Sequence, residues 1–438
     1  MVLALVGAPA LVLRVLCVGG SCHTPAARAQ GDVPFCSLPN EFRRTIAAGF
    51  REGRSPDVMA ATAGVGAVQT VFGDTAVVSW PGGVGTGATK APPDDRVPLV
   101  FLGGGVAPHA IPDGVRLDSV APTLEEIVGI RREHPEVRTG EAIVGVATAG
   151  AGATPLVVLI AWKGLGTSDL EASPEAWPFL RRAIRTGAGT TGARTGSLPL
   201  DPAATLTTIG AGALPSSHGI TGTLVRDVDG DVRRAWSGRD AGSVIATFAD
   251  DLDRDRGGEP RIVAILTDPS DRGIVGDGWY LDGSDHDTVI EEDRHIRYAR
   301  LARAIVSSER LGRDRETDLL GVVLAGPVEQ VDATTSDLVD ALRRLVPDTT
   351  FVVAGTGSNT GTDAIEASTL SARVDRAMGA PVVQRAAAGG LFLDRDVLGE
   401  RRLTTQAVAD ALRRPSEHGE PLFADVYPSF AVALSRYC

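Results

Sequence analysis

Lysine is almost missing from this sequence: of 43 basic side chains, only Lys90 and Lys163 are lysines, and all the others are arginines. A surplus of positive charge is missing as well, because 55 acidic residues give a formal net charge of −12 at pH 7. A chain of this charge is repelled by nucleic acid and by anionic lipid surfaces, so neither is expected as its main partner. Apolar residues make up 43% of the chain, which is ordinary for a soluble globular protein.

Charged residues are also scarce at the N-terminus. Residues 2–22 are almost wholly apolar and are interrupted by Arg14, and residues 27–29 (Ala-Arg-Ala) then have the small-x-small pattern that signal peptidase cleaves. We therefore predict that residues 1–29 are a signal peptide and that the protein is secreted or held in the cell envelope. The alternative is an uncleaved membrane anchor, since the apolar run is long enough to span a bilayer. Membrane contact is expected only through such an uncleaved N-terminus.

Cysteine is scarce too. Two of the four cysteines, Cys17 and Cys22, fall in the predicted signal segment, which leaves Cys36 and Cys438. These two lack the spacing of a metal site. In an oxidising compartment we expect them to form a disulfide between the two ends of the chain. The alternative is a pair of free thiols.

Strand-like and helix-like segments alternate along the chain, a pattern that predicts an α/β fold with a central, mostly parallel sheet. The clearest strand is Leu156–Ala161, an unbroken apolar run that ends in the turn Trp162-Lys163-Gly164. Such a run is typical of a parallel strand that is buried on both faces. Because ligand sites in open α/β sheets lie at the carboxyl ends of such strands, we expect the functional site near Lys163.

A segment that follows this strand resembles the alkaline phosphatase superfamily. Residues Ala211–Ile220 read A-G-A-L-P-S-S-H-G-I, which is similar to the T-G-x-x-P-x-x-H-G-I turn of the type I phosphodiesterase/nucleotide pyrophosphatase branch. Residues Val97–Ile130 resemble the carboxyl-terminal part of the family, although here they precede the first strand. The resemblance therefore implies an alkaline-phosphatase-like core that is circularly permuted. A disulfide between the ends fits this arrangement, because permutation needs termini that lie close together.

The resemblance divides the chain into three parts after the signal segment. Residues 30–150 are expected to complete the core, residues 151–375 to form its main part, and residues 376–438 to pack against it. Helices flank the central sheet in this arrangement.

The residues on which the chemistry of the family depends are missing from this sequence. The family binds two divalent metal ions through Asp and His and attacks phosphorus with Thr or Ser, and paired metals need several such ligands. Lys163 takes the position of the first metal-binding Asp, where its ammonium would repel a cation, and Pro202 takes the position of the nucleophile. The later ligand segments, residues 325–329 and 355–358, contain no Asp or His. We therefore predict that two-metal catalysis is lost and expect no cofactor.

Three interpretations of Lys163 stay open. It is a surface lysine at a strand end, a fixed cation that replaces the metal and binds an anion such as phosphate or sulfate, or a base or nucleophile. The second interpretation is supported by potential hydrogen-bond donors in the same region, namely Gly164, Thr205, Thr207 and Thr356. Thr205 is also a candidate for a displaced nucleophile.

A polar loop predicted from Asp268 to His295 offers a metal-like cluster, Asp285, His286 and Asp287. One interpretation is a solvated acidic loop, and the other is a relocated divalent-metal site. Only the second interpretation would require a metal cofactor.

The sequence thus predicts an exported pseudoenzyme that binds a small anionic ligand or a cell-envelope protein in the old active-site cleft. One alternative is a phosphodiesterase or phosphohydrolase with the relocated metal site. The other alternative is a structural protein of the envelope.

Overall fold

The computed structural model describes residues 35–62, 65–72, 74–81, 94–148, 154–280, 286–290, 298–358, 363–387, 389–414 and 423–438, together with two short strands that precede them. The strands are β1 Cys17–Val18, β2 Ser21–Cys22, β3 Val58–Thr62, β4 Val65–Phe72, β5 Asp74–Pro81, β6 Arg96–Gly103, β7 His109–Ala110, β8 Leu156–Lys163, β9 Ala188–Arg194, β10 Leu224–Arg226, β11 Val232–Arg234, β12 Ile262–Leu266, β13 His286–Ile290, β14 Asp318–Ala325, β15 Thr350–Gly355, β16 Asp363–Glu366, β17 Val383–Ala387, β18 Gly390–Leu393 and β19 Phe423–Pro428. The helices are α1 Asn40–Ala48, α2 Val120–Val128, α3 Thr167–Ala172, α4 Pro178–Thr186, α5 Pro202–Ala211, α6 Pro215–His218, α7 Phe248–Asp255, α8 Tyr298–Ser308, α9 Val328–Leu345, α10 Ala367–Met378, α11 Arg395–Arg401, α12 Thr405–Arg413 and α13 Ser429–Ala433.

An eight-stranded sheet with the order β13-β12-β14-β8-β15-β6-β9-β7 occupies the centre of the molecule. The five strands from β13 to β15 are parallel to their neighbours, whereas β6 is antiparallel to both β15 and β9. The short strand β7 runs parallel to β9 at the edge. The predicted α/β fold with a mostly parallel central sheet is therefore confirmed.

Strand β8 lies among the parallel strands because its side chains are apolar on both faces. Val157 and Leu159 pack into one buried core with α2, α5 and α7, and Val158 and Ile160 pack into the opposite core with α4, α8 and α9. A fully buried aliphatic side chain contributes about 1.5–3 kcal/mol to folding. The prediction that Leu156–Ala161 is a parallel strand buried on both faces is confirmed.

The C-terminal part of the chain builds a second, smaller hydrophobic core. Strands β17, β18 and β19 form a four-stranded sheet with β3, which comes from the beginning of the chain, and α10 and α12 cover it. Arg226 of β10 joins this sheet to the main body, because its buried guanidinium bonds to Asp57 at 2.5 Å. Strands β16, β4 and β5 form a further sheet. Local sequence patterns do not reveal these long-range strand pairings.

A disulfide joins Cys36 to Cys438, as predicted, and the two Cα atoms lie 5.1 Å apart. Strand β6 lies in the same sheet as β8, which is what the predicted permutation requires, and the permutation itself stays a prediction. The predicted signal segment lies outside the described residues except for β1 and β2. Among the residues that the structure describes, no helix is long and apolar enough to cross a membrane.

Candidate ligand-binding cleft

Three neighbouring strands of the central sheet end side by side at the edge where the sequence predicts a site. Ala325 at the end of β14 lies opposite Lys163 at the end of β8, and Gly355 at the end of β15 lies opposite Trp162. The fold therefore brings together the strand ends to which the family resemblance assigns the metal ligands.

Lys163 is bonded to a carboxylate within the protein. Its Nζ lies 2.7 and 2.9 Å from the two carboxylate oxygens of Asp271 and 3.1 Å from Oγ1 of Thr267. Asp271 is fully buried in the 3₁₀ helix Pro269–Ile274, whereas 22% of the Lys163 side chain is exposed. The Asp271 carboxylate thus neutralises the ammonium charge of Lys163. Anion binding by Lys163 stays a prediction, and the contact observed is an ion pair between β8 and the 3₁₀ helix.

Gly164 and Thr356 bond to each other rather than facing an open site. The backbone N–H of Gly164 donates to Oγ1 of Thr356 at 2.8 Å, and Thr205 Oγ1 donates to the Thr356 carbonyl at 3.4 Å. Gly164 has a φ of 75°, a value that glycine adopts without steric cost. Thr205 and Thr356 are both buried. Ligand binding by these residues, and nucleophilic attack by Thr205, stay predictions.

Residues 202–211, which sequence reasoning left as a Thr-rich segment, form helix α5. Asp201 is its N-cap residue and accepts hydrogen bonds from the N–H groups of Ala203 at 2.8 Å and Thr223 at 2.7 Å. Burial raises the pKa of Asp201, and these hydrogen bonds oppose the effect. Pro202, which the sequence resemblance aligns with the family's nucleophile, is buried beside this cap. Thr207, further along, donates its hydroxyl to the Ala203 carbonyl at 2.8 Å and is fully buried.

His218 is a buried neutral histidine that links α5 to the loop after β11. Its Nδ1 accepts the N–H of Ile220 at 3.1 Å, so its Nε2 carries the proton and faces Thr208 Oγ1 at 3.1 Å. Burial lowers the pKa of His218 to about 3, and Arg51 adds to this effect. The His218 carbonyl accepts the N–H of Val244 at 2.9 Å, which fixes the segment 242–245.

The residues of the predicted metal cluster fall far from Lys163. Asp285 lies outside the described residues, and His286 and Asp287 begin the edge strand β13. Because β13 is parallel to β12 and His286 pairs with Ile262, both residues lie at the amino-terminal edge of the sheet. Within the described ranges, no three His, Cys, Asp or Glu residues are grouped to hold a metal ion. The relocated metal site stays a prediction.

A cleft of about 270 Å³ lies beside the carboxyl edge of the sheet. Its walls are Arg54, the tip of the β10–β11 hairpin, the turn at Trp236, residues 242–245 and the loop 277–279. That loop follows the 3₁₀ helix that contains Asp271, and the Trp236 indole N–H donates to Thr207 Oγ1 at 3.4 Å. The same short 3₁₀ helix therefore carries Asp271 of the Lys163 ion pair and leads into the loop that lines the cleft.

Arg54 supplies a positive charge to the wall of the cleft. Its Nη1 atom is buried and has no hydrogen-bond partner, whereas its backbone is held because Arg226 N–H donates to the Arg54 carbonyl at 3.0 Å. Burial lowers the pKa of Arg54 and Arg51 adds to this, while Asp227 and Asp240 oppose it. The guanidinium nevertheless stays protonated at physiological pH. Arg54 is therefore a charged residue of the cleft wall whose guanidinium has an unused donor.

Two tryptophans form aromatic surfaces of the cleft. Trp236 is 8% exposed and has a φ of 64°, an uncommon left-handed conformation for a bulky residue. Trp279 is 46% exposed, and its backbone N–H donates to Asp250 Oδ1 at 2.9 Å. Asp250 also caps α7 through Thr247, so the same carboxylate fixes the helix and the Trp279 loop. The Trp236 ring is thus held by its bond to Thr207, and the backbone of Trp279 is held by Asp250.

Sequence reasoning missed Arg54, Trp236 and Trp279. The chain contains five tryptophans, and these two stand in turns rich in Gly and Asp, W-S-G-R-D and G-D-G-W. A tryptophan in a loop that also contains glycine and acidic residues was the pattern that could have marked these two residues as candidates for ligand binding. Arg54 had no such signal, because it is one arginine among many and its burial depends on the tertiary structure.

No family model and no curated protein matches the chain. Among solved structures, it is similar to a crystal structure of a mutant of the alkaline phosphatase PafA, with 14% sequence identity and a TM-score of 0.47. The similarity covers 59% of this chain and 75% of the other. A similarity of this extent leaves the function to be argued from this chain's own residues.

Proposed function

We propose that this is an exported binding protein that holds a small ligand with a negatively charged group in the cleft between Arg54, Trp236 and Trp279. The observation that carries the proposal is Arg54, which lines this cavity and whose guanidinium has a buried Nη1 without a hydrogen-bond partner among the described residues. The proposal keeps the predicted anionic ligand but moves its site from Lys163 to Arg54.

The physical argument starts from the cost of an unpaired donor. A buried charged group without a hydrogen bond costs about 1–3 kcal/mol or more, so a protein gains by giving it a partner. A ligand carboxylate would accept a charge-assisted bond from Arg54, and such bonds are about twice as strong as neutral ones. The tryptophan rings would cover the apolar part of the ligand, as is usual in small-molecule sites.

Two further observations support the parts of the proposal that concern catalysis and export. Lys163 and Pro202 stand where the family resemblance places a metal-binding Asp and the nucleophile, and both are used internally by the fold. Disulfides form and persist in oxidising compartments, so the Cys36–Cys438 bond favours export.

The test is a thermal-shift screen of small carboxylates, sulfates and phosphates, followed by calorimetric titration of the compounds that stabilise the protein. We expect at least one anion to bind the wild type and to lose about tenfold or more in affinity in Arg54→Met. Arg44→Met, which removes an exposed arginine of α1, is the matched control and should bind normally.

Two results would overturn the proposal. One is anion binding that is unchanged in Arg54→Met. The other is hydrolysis of a chromogenic phosphodiester that a chelator abolishes, because that activity would indicate a metal-dependent hydrolase.

A further inference from the structure

The charges around the cleft are unbalanced in a way that constrains the ligand. Arg54 faces the cavity together with three carboxylates, Asp240, Asp250 and Asp277. Asp277 pairs with Arg272 at 2.8 Å, and both oxygens of Asp250 accept hydrogen bonds from backbone or hydroxyl groups. Asp240 is exposed and has no hydrogen-bond partner among the described residues. The cleft therefore offers one cation, Arg54, and one exposed carboxylate, Asp240, whose charges act on each other and which a ligand with both charges can contact.

This pair of charges favours one type of ligand over another. A dianion such as phosphate would gain from Arg54 but would be repelled by the neighbouring carboxylates. A ligand with a single carboxylate and a positive group at the other end gains from both Arg54 and Asp240. The positive group also reduces the repulsion from Asp250.

The remaining walls of the cleft indicate what kind of positive group fits. Trp236 and Trp279 present aromatic surface, and Val228, Val244 and Ile245 add aliphatic surface. A primary ammonium donates three hydrogen bonds, and two of the three carboxylates in this lining, Asp250 and Asp277, already accept bonds within the protein. A methylated ammonium needs no hydrogen-bond acceptor and is attracted to tryptophan rings by cation–π interaction.

The size of the cleft agrees with this assignment. Its volume of about 270 Å³ lies just below the ~300–1,000 Å³ that is common for sites of drug-sized ligands. A polymer or a nucleotide would protrude, whereas a short quaternary ammonium carboxylate fits within it.

We infer that the cleft binds a zwitterion, with a carboxylate on Arg54 and a methylated ammonium between the two tryptophan rings, next to Asp240. This inference rests on the proposed function, because it names the ligand class of the same site.

The test compares two probes of the same shape by calorimetric titration. Glycine betaine carries a trimethylammonium and a carboxylate, and the anion of tert-butylacetic acid has carbon in place of the nitrogen. We call this anion the isostere, because its tert-butyl group has the shape of the trimethylammonium but no charge. We expect betaine to bind the wild type about tenfold more tightly than the isostere. Glycine, which has a primary ammonium, should bind more weakly than betaine.

Variants show which residues are responsible for the preference for betaine. Trp279 is half-exposed, so Trp279→Ala should fold normally and should lose most of the preference for betaine over the isostere. Asp240→Asn should lower the affinity for betaine several-fold, because it removes the negative charge that attracts the ammonium. The affinity for the isostere should stay unchanged or increase, because the same charge repels its carboxylate. Arg44→Met serves again as the control.

The outcomes separate the inference from the proposed function. If the isostere binds as tightly as betaine and both depend on Arg54, the zwitterion assignment is wrong and the anion site stands. If betaine does not bind at all, the assignment is wrong as well. If betaine binding depends on Asp240 and Trp279 but not on Arg54, both the zwitterion assignment and the proposed anion site are wrong.

Discussion

Two polar regions adjoin the 3₁₀ helix Pro269–Ile274, the Lys163 cluster at the end of β8 and the cleft beside the loop 277–279, and they use their charges in opposite ways. In the strand-end cluster of Lys163, Thr267 and Asp271, each charged group has partners within the protein. In the cleft, Arg54 has a buried nitrogen without a partner. The first region contains Lys163, the residue that the sequence singled out, and the second has the open cavity.

The comparison shows why an unusual residue is not by itself a binding residue. A charged group that is fully paired by its own fold offers little to a ligand, since binding would have to break those bonds. A charged group that the fold leaves unpaired beside a cavity gains from a ligand. Satisfaction of hydrogen bonds, rather than rarity in the sequence, distinguishes the two regions.

The largest effect is expected from breaking the strand-end cluster. Lys163→Met removes the countercharge of Asp271, which is fully buried, and should lower the free energy of unfolding by about 3 kcal/mol. Urea denaturation measures this loss. The affinity of the cleft for its anion, measured by calorimetry on the folded variant, should be unchanged.

A second substitution makes this prediction specific. In Lys163→Met combined with Asp271→Asn, the amide keeps the hydrogen-bonding shape without a charge, so at least half of the lost stability should return. If Lys163→Met instead keeps its stability and loses anion-induced stabilisation, Lys163 is the ligand-binding cation and the contrast between the two regions is reversed.

Removing the disulfide should change the stability of the protein without altering a residue of either polar region. Replacing Cys36 and Cys438 by serine opens a loop with a sequence separation of 402 residues. The expected loss is about 2–4 kcal/mol, because the unfolded chain gains conformational freedom. Calorimetric melting with and without reductant measures it, and mass spectrometry without reductant confirms the bond. An unchanged melting temperature in the double variant would contradict the prediction.

His218 links α5 to the segment 242–245 of the cleft wall, and its titration gives a pH-dependent prediction. An unfolded histidine takes up a proton near pH 6.5, whereas burial holds the pKa of His218 in the folded state at about 3. Between these values the unfolded state binds more protons, so stability falls as the pH drops below 6.5. The slope from this group approaches about 1.4 kcal/mol per pH unit.

The variant His218→Gln should remove that slope and cost about 1–3 kcal/mol at pH 7.5, since hydrogen bonds to Ile220 and Thr208 are weakened. Urea midpoints of both proteins between pH 4.5 and 7.5 test it. Parallel pH profiles for the wild type and the variant would show that His218 does not titrate on unfolding.

The fold was predictable where local patterns carry the information. The apolar run Leu156–Ala161 indicated a buried parallel strand, and Cys36 and Cys438 indicated a disulfide. The helix α5 was missed because its three threonines have low helix propensity, and burial together with the Asp201 cap overrides it. The pairing of β3 with β18 and β19 joins residues more than 300 positions apart, which no local pattern encodes.

The candidate site was predictable only as a location. The carboxyl edge of the parallel strands follows from the fold class, and the cleft does lie beside it. The residues that line it come from separate turns, and each turn looks ordinary by itself. What makes Arg54 unusual is its buried, unpaired nitrogen, and that property exists only in the folded chain.

The smallest effect on stability is expected from Arg54→Met, although it is the variant that should weaken anion binding about tenfold or more. The methionine keeps the apolar stem of the side chain and removes a donor that has no partner, so the free energy of unfolding without ligand should stay within about 0.5 kcal/mol or increase. Urea denaturation beside Arg44→Met measures this. A loss of more than about 2 kcal/mol would mean that Arg54, like Lys163, is held by the fold. Both regions would then contain charged groups that the fold itself binds, and the reason for assigning ligand binding to the cleft would be lost.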